Sequence, residues 1–219
     1  MHERDCARLR AASAANSKLL TAAQKLGLKY YEDSLLRIPR AEMKDHEDII
    51  LPGLDPRFEG TIVGSYRRGA ASSGDIDVLM TLPDTMTTKE QGDLFLYMIE
   101  LFKEIEYIVD TLSSGPTKFL GYCRLDKDKP VRRLDLLMIP KSEYACAILY
   151  FTGSKEFNVA FRSYALEKGY TLNEHRLEAI KQGVPAVPAF ATEQDIFAFL
   201  GLTYVEPDKR RDSRDIVPV

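Results

Sequence analysis

The stretch Gly64-Ser65-Tyr66-Arg67-Arg68-Gly69-Ala70-Ala71-Ser72-Ser73-Gly74-Asp75-Ile76-Asp77-Val78-Leu79-Met80-Thr81 decides how this chain is read. A glycine-rich turn with a built-in arginine pair leads into an apolar run, Ile76 to Thr81, that reads as a buried strand. Residues i and i+2 of a strand share a face, so Asp75 and Asp77 project together. Two carboxylates that close repel, and a divalent cation between them relieves the repulsion. Hard cations such as magnesium take oxygen ligands of this kind. Backbone N–H groups of the turn and the helix start beside it form a cradle for phosphate. Metal beside phosphate implies phosphoryl or nucleotidyl transfer. The competing reading makes Asp75 and Asp77 ordinary turn residues at a strand end.

A third acid on a neighbouring strand separates the two readings. Val131-Arg132-Arg133-Leu134-Asp135-Leu136-Leu137-Met138-Ile139 places Asp135 in the middle of an otherwise apolar strand. A buried ionised carboxylate is costly unless it is paired or metal-bound. Its bland explanation is a salt bridge to Arg133 or Arg68. With Asp75 and Asp77 it makes an open oxygen site for two ions, which in such chemistry sit about 3.5–4 Å apart. One ion activates the attacking oxygen and the other holds the leaving phosphates. Asp135 is expected on the nucleophile side. Arg68 is expected to neutralise the leaving pyrophosphate with its bidentate fork.

Around this motif, 219 residues suffice for one large domain or two small ones. A composition of 45% hydrophobic and 29% charged residues is that of a soluble globular protein, with no run long enough to span a membrane. Met1 to Arg10 mixes charges and lacks an apolar core, so no secretory signal is expected. Cys6, Cys123 and Cys146 have neither disulfide nor metal-ligand spacing and read as reduced thiols. The net charge of −3 argues against a uniformly basic nucleic-acid surface. Basic residues do cluster at Arg37/Arg40, Arg67/Arg68, Arg132/Arg133 and Lys209-Arg210-Arg211.

The periodicity predicts one helix over residues 5–35, interrupted by Pro39, and another from Ala41 to Leu51, stopped by Pro52-Gly53. Strands are expected at Thr61–Val63 and Ile76–Thr81. A helix is expected over Lys89–Glu106, with Leu94, Tyr97, Met98, Leu101 and Phe102 on one face. Strands follow at Tyr107–Leu112, Lys118–Leu125 and Val131–Ile139, with Ser113-Ser114-Gly115-Pro116 as a turn. After Pro140 the pattern becomes helical: Glu143–Phe151, then Ser154–Lys168 ended by Gly169. Short strands at Tyr170–Leu172 and Arg176-Leu177 and a helix over Glu193–Leu200 complete the chain. The tail Asp208–Val219 is expected to be loose.

Gly64-Ser65 through Asp77 resembles the nucleotidyltransferase signature, and more closely the family X DNA polymerases of the polymerase beta type. The resemblance is carried by Leu26–Asp33, Arg37–Met43, Gly64–Thr81, Asp110–Ser113, Thr117–Phe119, Arg132–Asp135, Tyr150–Asn158 and Ala165–Glu174. It runs in order from about residue 20 to 207. It implies an α+β fold: a nucleotidyltransferase palm of mixed or antiparallel sheet with helices, then a small, mostly helical thumb. The expected divisions are a helical amino-terminal segment (1–36, remnant of a DNA-gripping subdomain), the palm (37–141) and the thumb (142–219).

The implied activity is DNA-directed DNA synthesis, with dNMP added to a primer 3′-hydroxyl to fill short gaps in base excision repair. The implied ligands of two Mg2+ ions, for which Mn2+ can substitute, are Asp75, Asp77 and Asp135. Arg37, Gly64, Ser65, Arg68, Ser73 and Gly74 are implied contacts to the dNTP phosphates. Tyr150, Phe151, Gly153 and Asn158 form the sugar and base pocket, with Tyr150-Phe151 restricting a ribose 2′-hydroxyl. Lys118 and Arg133 are implied DNA and primer contacts, and Arg162 the residue that feels the templating base pair. Each has a bland counterpart: core aromatics for Tyr150 and Phe151, a solvated charge for Arg162 or Lys118, a helix cap for Arg37.

The partners implied are gapped or primed DNA and dNTPs, with no membrane. A monomer in the nucleus is expected, the mitochondrion being the alternative compartment. The family's amino-terminal lyase domain and helix-hairpin-helix grip find no match, so lyase activity is not expected and DNA affinity should be weak. Leu137 stands where the family has an arginine, Lys155 replaces an acid, and Val159 replaces a template-stacking lysine. Template-independent terminal transfer, or a catalytically silent DNA-binding module, are the alternatives.

Overall fold

The computed structural model describes residues 3–219. Three short helices replace the single one expected over 5–35: α1 (Glu3–Ala15), α2 (Ala22–Lys29) and α3 (Tyr31–Leu35). Side chains at the break compete for the backbone. Asn16 Oδ1 accepts the Lys18 N–H at 3.0 Å, and Thr21 with Gln24 forms a reciprocal capping box that restarts the helix. Pro39 lies beyond the last of these helices, in β1 (Ile38–Pro39). Pro52 does not stop the next helix: α4 runs Arg40–Gly53 with Pro52 in its last turn. A Cβ on Gly53 would lie 2.8 Å from the Phe102 ring, so only glycine permits this approach.

The chain continues through β2 (Glu59–Ile62), α5 (Gly64–Arg67), β3 (Ser72–Ser73), β4 (Ile76–Thr81), α6 (Thr88–Glu104), β5 (Ile108–Ser114), β6 (Lys118–Cys123) and β7 (Arg132–Met138). Five strands form one mixed sheet in the order β2-β4-β7-β6-β5. β4 and β7 are parallel and the other pairs antiparallel. Ser113 and Ser114 belong to β5, opposite Leu120 and Phe119, so the turn is shorter than expected.

The period-2 alternation of β4 and β7 divides the sheet into two chemistries. Ile76, Val78, Met80, Leu134, Leu136 and Met138 face a core closed by α4 and α6. Asp77, Leu79, Asp135 and Leu137 take the opposite face, where the two leucines pack with Ala147 and Ile148. On α6 the buried face is Phe95, Met98, Ile99 and Phe102, whereas Tyr97 and Leu101 are exposed, which corrects the expected stripe. The helix carries apolar residues over more than half its circumference. Periodicity alone therefore offers two overlapping stripes, and the sheet covers one.

The remaining residues form α7 (Tyr144–Thr152), α8 (Lys155–Glu167), β8 (Tyr170–Leu172), β9 (Leu177–Ala179) and α9 (Glu193–Phe199) around a second core that includes Leu149, Phe157, Phe161, Ile196 and Phe197. Gly169, at φ +92°, ends α8 in the left-handed conformation that glycine tolerates. The tail is not loose. Arg210 is fully buried, Ile216 packs on the second core, and Leu202 bridges Pro218. The run Lys209-Arg210-Arg211 is therefore not one basic patch.

Behind the sheet, His46 is fully buried, its Nδ1 2.8 Å from the Tyr107 hydroxyl and its Nε2 without a hydrogen bond. Burial pushes its pKa from 6.5 down to about 4. The unfolded chain then binds more protons than the folded one between those values. Stability is full above pH 6.5 and falls as pH drops toward 4, by up to about 3 kcal/mol. Asp77, raised to about 7, gains stability over the same window, so the His46 contribution is read as a difference: in urea titrations from pH 8 to 4 the wild type should lose stability relative to His46→Gln as pH falls. Parallel profiles would contradict the assignment.

Candidate active site

Strand register builds the acidic site. Asp77 and Asp135 are paired residues on the parallel neighbours β4 and β7, and Asp75 precedes β4 by one residue. Burial, then the charges of Asp75 and Asp135, pushes the Asp77 carboxyl up to about 7. Asp75 stands at the solvent-accessible rim, yet surrounding protein and the charge of Asp135 raise it as well. Asp135 also has the partner that its bland explanation named: Arg133 Nε lies 2.6 Å from Oδ1. Among the described residues no group of three or more histidine, cysteine or acidic side chains forms a ready metal cage. The expected trio is thus electrostatically coupled, and Asp135 is at the same time ion-paired to Arg133. The donor chemistry fits a hard cation: oxygen ligands only, with the Asp77 carboxylate desolvated and crowded by its acidic neighbours.

The glycine-rich turn supplies a second group. Gly64 opens α5 at φ +64°, and a Cβ there would sit 3.5 Å from Asp77 Oδ2, so the turn presses its backbone against the acid. Ser65 and Ser73 hydroxyls meet at 3.1 Å. The pairing of β1 with β3 brings Arg37 across: its Nη2 donates to the Ser72 carbonyl at 2.7 Å and its Nε to the Ser72 hydroxyl at 3.2 Å. Gly74 leaves room for Arg37, whose Nη1 would lie 3.3 Å from a Cβ there. Arg37 therefore braces the turn and does not cap α3. Arg68 is partly buried and donates Nη1 to the Thr152 carbonyl at 2.6 Å. Burial lowers its pKa, so its charge is poorly solvated and open to an anion.

Gly153 takes φ +67°, and its peptide to Ser154 is cis. Just before it, Tyr150 and Phe151 meet edge to face, ring centroids 5.3 Å apart, and Phe151 leans on the sheet's site-side apolar cluster. Asn158 Nδ2 donates to the Tyr150 carbonyl at 2.6 Å, tying α8 to this corner. Arg162 lies one helical turn beyond Asn158 and is exposed. Lys118 is exposed at the start of β6, opposite Leu137, and shares the site face with Leu120, which opposes Asp135.

Residues the sequence reading passed over also shape the site. Tyr122, opposite Arg133, lines a cleft of about 200 Å³ with Asp75, Asp33 and Leu36 and packs against Tyr30 with ring centroids 4.7 Å apart and planes tilted by 47°. Its signal was available: it follows Lys118 and Leu120 at strand period. Arg67, Glu193 and Arg210 form a buried chain of ion pairs, and Arg67 Nη1 also donates to Thr152 Oγ1 at 2.6 Å. Only long-range packing reveals it.

A mixed sheet carrying clustered aspartates beside a glycine-serine turn, followed by a helical domain, is the architecture of a nucleotidyltransferase palm with its thumb. Residues 37–141 match the DNA polymerase beta palm and residues 147–211 the DNA polymerase beta thumb. The chain belongs to the polymerase beta family, family X, of DNA polymerases. It is 39% identical over 208 residues to a DNA polymerase lambda of Rattus norvegicus, covering 87% of this chain and 36% of that protein. To a DNA polymerase lambda of Arabidopsis thaliana it is 32% identical over 216 residues, covering 89% and 40% respectively. The chain thus spans well under half the length of these relatives.

Proposed function

We propose that this chain is the catalytic part of a DNA-directed DNA polymerase that fills short gaps in repair. The observation that carries the reading is the side-by-side register of Asp77 and Asp135, with Asp75 in electrostatic reach, on a family X palm. The proposed parts are a helical amino-terminal segment (1–36), the palm (37–141) and the thumb (142–219).

Asp75, Asp77 and Asp135 would hold two magnesium ions, with manganese able to substitute. When bound, those ions activate the primer hydroxyl and neutralise the triphosphate. The chain's own residues do the positioning, which dominates such transfers. Gly64, Ser65, Ser73 and Gly74 offer hydroxyls and close backbone approach to the phosphates. Arg37 and Arg68 supply the positive charge, Arg68 by exchanging the Thr152 carbonyl for a phosphate oxygen. The primer 3′-oxygen bonds to the α-phosphorus, the bond to the β-phosphate oxygen breaks, and pyrophosphate leaves. The hydroxyl proton passes to Asp135 once Arg133 has turned to the primer backbone. Tyr150 and Phe151 wall off a 2′-hydroxyl, Gly153 admits the sugar, and Asn158 fixes that wall. Lys118, Arg133 and Arg162 contact DNA. Gapped or primed DNA and dNTPs are the substrates, and a monomer acting in the nucleus is the setting this implies. No described helix is long and apolar enough to cross a membrane.

Primer extension on a one-nucleotide gap tests the reading. Incorporation should require magnesium and follow the template base. Addition of all four dNTPs to an unpaired end at a similar rate would favour terminal transfer. Exposed Val159 on α8, standing where the family has a template-stacking lysine, is the observation that keeps that second reading open. Tyr150→Ala should raise ribonucleotide use by ~10-fold or more, as loss of a steric wall does. An unchanged sugar preference would make Tyr150 a packing residue only.

A further inference from the structure

The turn from Gly64 to Ala71 is held in shape by a residue outside it. The pairing of Pro39 with Ser72 sets Arg40, the first residue of α4, against the end of the turn. The Arg40 backbone N–H donates to the Ala71 carbonyl at 2.9 Å. Its guanidinium Nη1 donates to the Tyr66 carbonyl at 2.8 Å and to the Ala70 carbonyl at 3.3 Å. One side chain thus spans the turn from residue 66 to residue 70. The same guanidinium lies over the Tyr66 ring, 4.5 Å from its centroid, in a cation–π contact. That ring is itself fixed. It is buried in the palm core, and its hydroxyl donates to Glu47 Oε2 at 3.1 Å, an oxygen that Lys44 also meets at 3.2 Å. Arg40 is exposed, yet both acceptors of its Nη1 are neutral carbonyls of one turn.

The direction of those carbonyls matters. In a planar trans peptide the N–H points away from the C=O. Holding the Tyr66 and Ala70 carbonyls toward Arg40 therefore turns the Arg67 and Ala71 amides the other way, and it anchors the backbone on both sides of Arg68. A phosphate cradle needs its amides and cations presented together. Holding a loop in its bound shape before the ligand arrives removes the ordering cost that binding would otherwise carry. Arg37 holds the next carbonyl along, that of Ser72, at 2.7 Å, and reaches Gly74 beside the acids. Arg40 instead sits on the Tyr66 ring, which faces α4. We infer that Arg40 is a positioning residue for the incoming nucleotide: it sets the shape of the Gly64–Ala71 turn that receives the triphosphate, without touching the nucleotide itself. The inference rests on the proposed function, in which this turn holds the phosphates.

The test compares the full wild-type chain with Arg40→Met, which keeps the stem and removes the donors. Arg40 is exposed, so the core is untouched, and urea unfolding fixes the folded fraction in each assay. Single-turnover primer extension on gapped DNA with Mg2+ should show the dNTP Kd raised about 10-fold, the scale of a lost charge-assisted hydrogen bond. The rate at saturating dNTP should fall less than about 3-fold, as expected when binding and not the chemical step is impaired. Calorimetric binding of Mg2+ tripolyphosphate, which has neither base nor sugar, should weaken by a similar factor, and affinity for gapped DNA should hold. The ratio of wild-type to variant affinity should persist from about 0.05 to 0.5 M salt, because a through-space charge effect would be screened over that range. A wild type that extends primers beside an Arg40→Met variant of equal dNTP and tripolyphosphate affinity overturns the inference alone and leaves the polymerase reading standing. Loss of DNA affinity in step with dNTP affinity, or a ratio that falls to one at high salt, overturns it as well. A wild type that neither extends the primer nor binds tripolyphosphate overturns the polymerase reading and the inference with it.

Discussion

Asp135→Ala and Asp135→Asn should both lose nucleotide incorporation by ~10³-fold or more, the scale set by removing a charged group from a transfer site. The pair is needed because Asp135 has two partners in prospect. If its work were only to fix Arg133, asparagine would keep one hydrogen bond to that guanidinium and activity would survive. If it holds a cation, the lost charge is what matters and asparagine fails like alanine. Neither variant should unfold the palm. Arg133 and Asp135 are 33% and 24% exposed, so the pair contributes about 1 kcal/mol or less. Removing the Asp135 charge also relieves Asp77, which burial and its two acidic neighbours push up to about 7. Melting temperature should therefore hold or rise while single-turnover incorporation on gapped DNA collapses. Full activity in Asp135→Asn would sink the assignment.

The part of the fold that carries this site was legible because its signals are local. Asp75-Ile76-Asp77 states its own facing, and Asp135 is conspicuous among leucines; only their adjacency needed the parallel pairing of β4 with β7. Signals failed where tertiary packing overrode a local pattern. On α6 two apolar stripes overlap, and which one the sheet buries depends on the strands beneath it. At residues 16–21 side-chain caps beat an alanine-rich helical run. In the tail, Arg210 looks like a solvated charge beside Lys209 and Arg211. Nothing within ten residues announces that Glu193, seventeen positions away, receives it. The Asp135–Arg133 pair shows the same limit: both partners were visible in β7, but the choice between arginine and cation is made by side-chain geometry.

Glu193→Ala should destabilise the thumb by about 3–5 kcal/mol, the usual cost of stripping one member from a buried ion network. Its carboxylate is 6% exposed and sits between two guanidiniums. Arg67 reaches both oxygens, at 3.1 and 2.6 Å, and Arg210 donates Nη1 to Oε1 at 2.6 Å. Arg210 has no solvent contact and is ringed by Phe157, Phe197 and Tyr204. Alanine would leave that guanidinium charged, buried and unmatched, since arginine does not deprotonate in proteins. Glutamine keeps acceptor capacity but not charge and should fall between. Replacing the charges together, as Glu193→Leu/Arg210→Met, removes the unmatched cation and should recover much of the loss. Urea unfolding of the four proteins checks the order. A loss below about 1 kcal/mol for Glu193→Ala would mean that water reaches Arg210. The same network reaches the site, because Arg67 holds Thr152 Oγ1 while Arg68 holds the Thr152 carbonyl. The Leu/Met variant, stable again yet missing one arm of that brace, should therefore bind dNTP more weakly than wild type at equal folded fraction. Equal dNTP affinity would confine the network to stability and free the Tyr150–Gly153 corner from it.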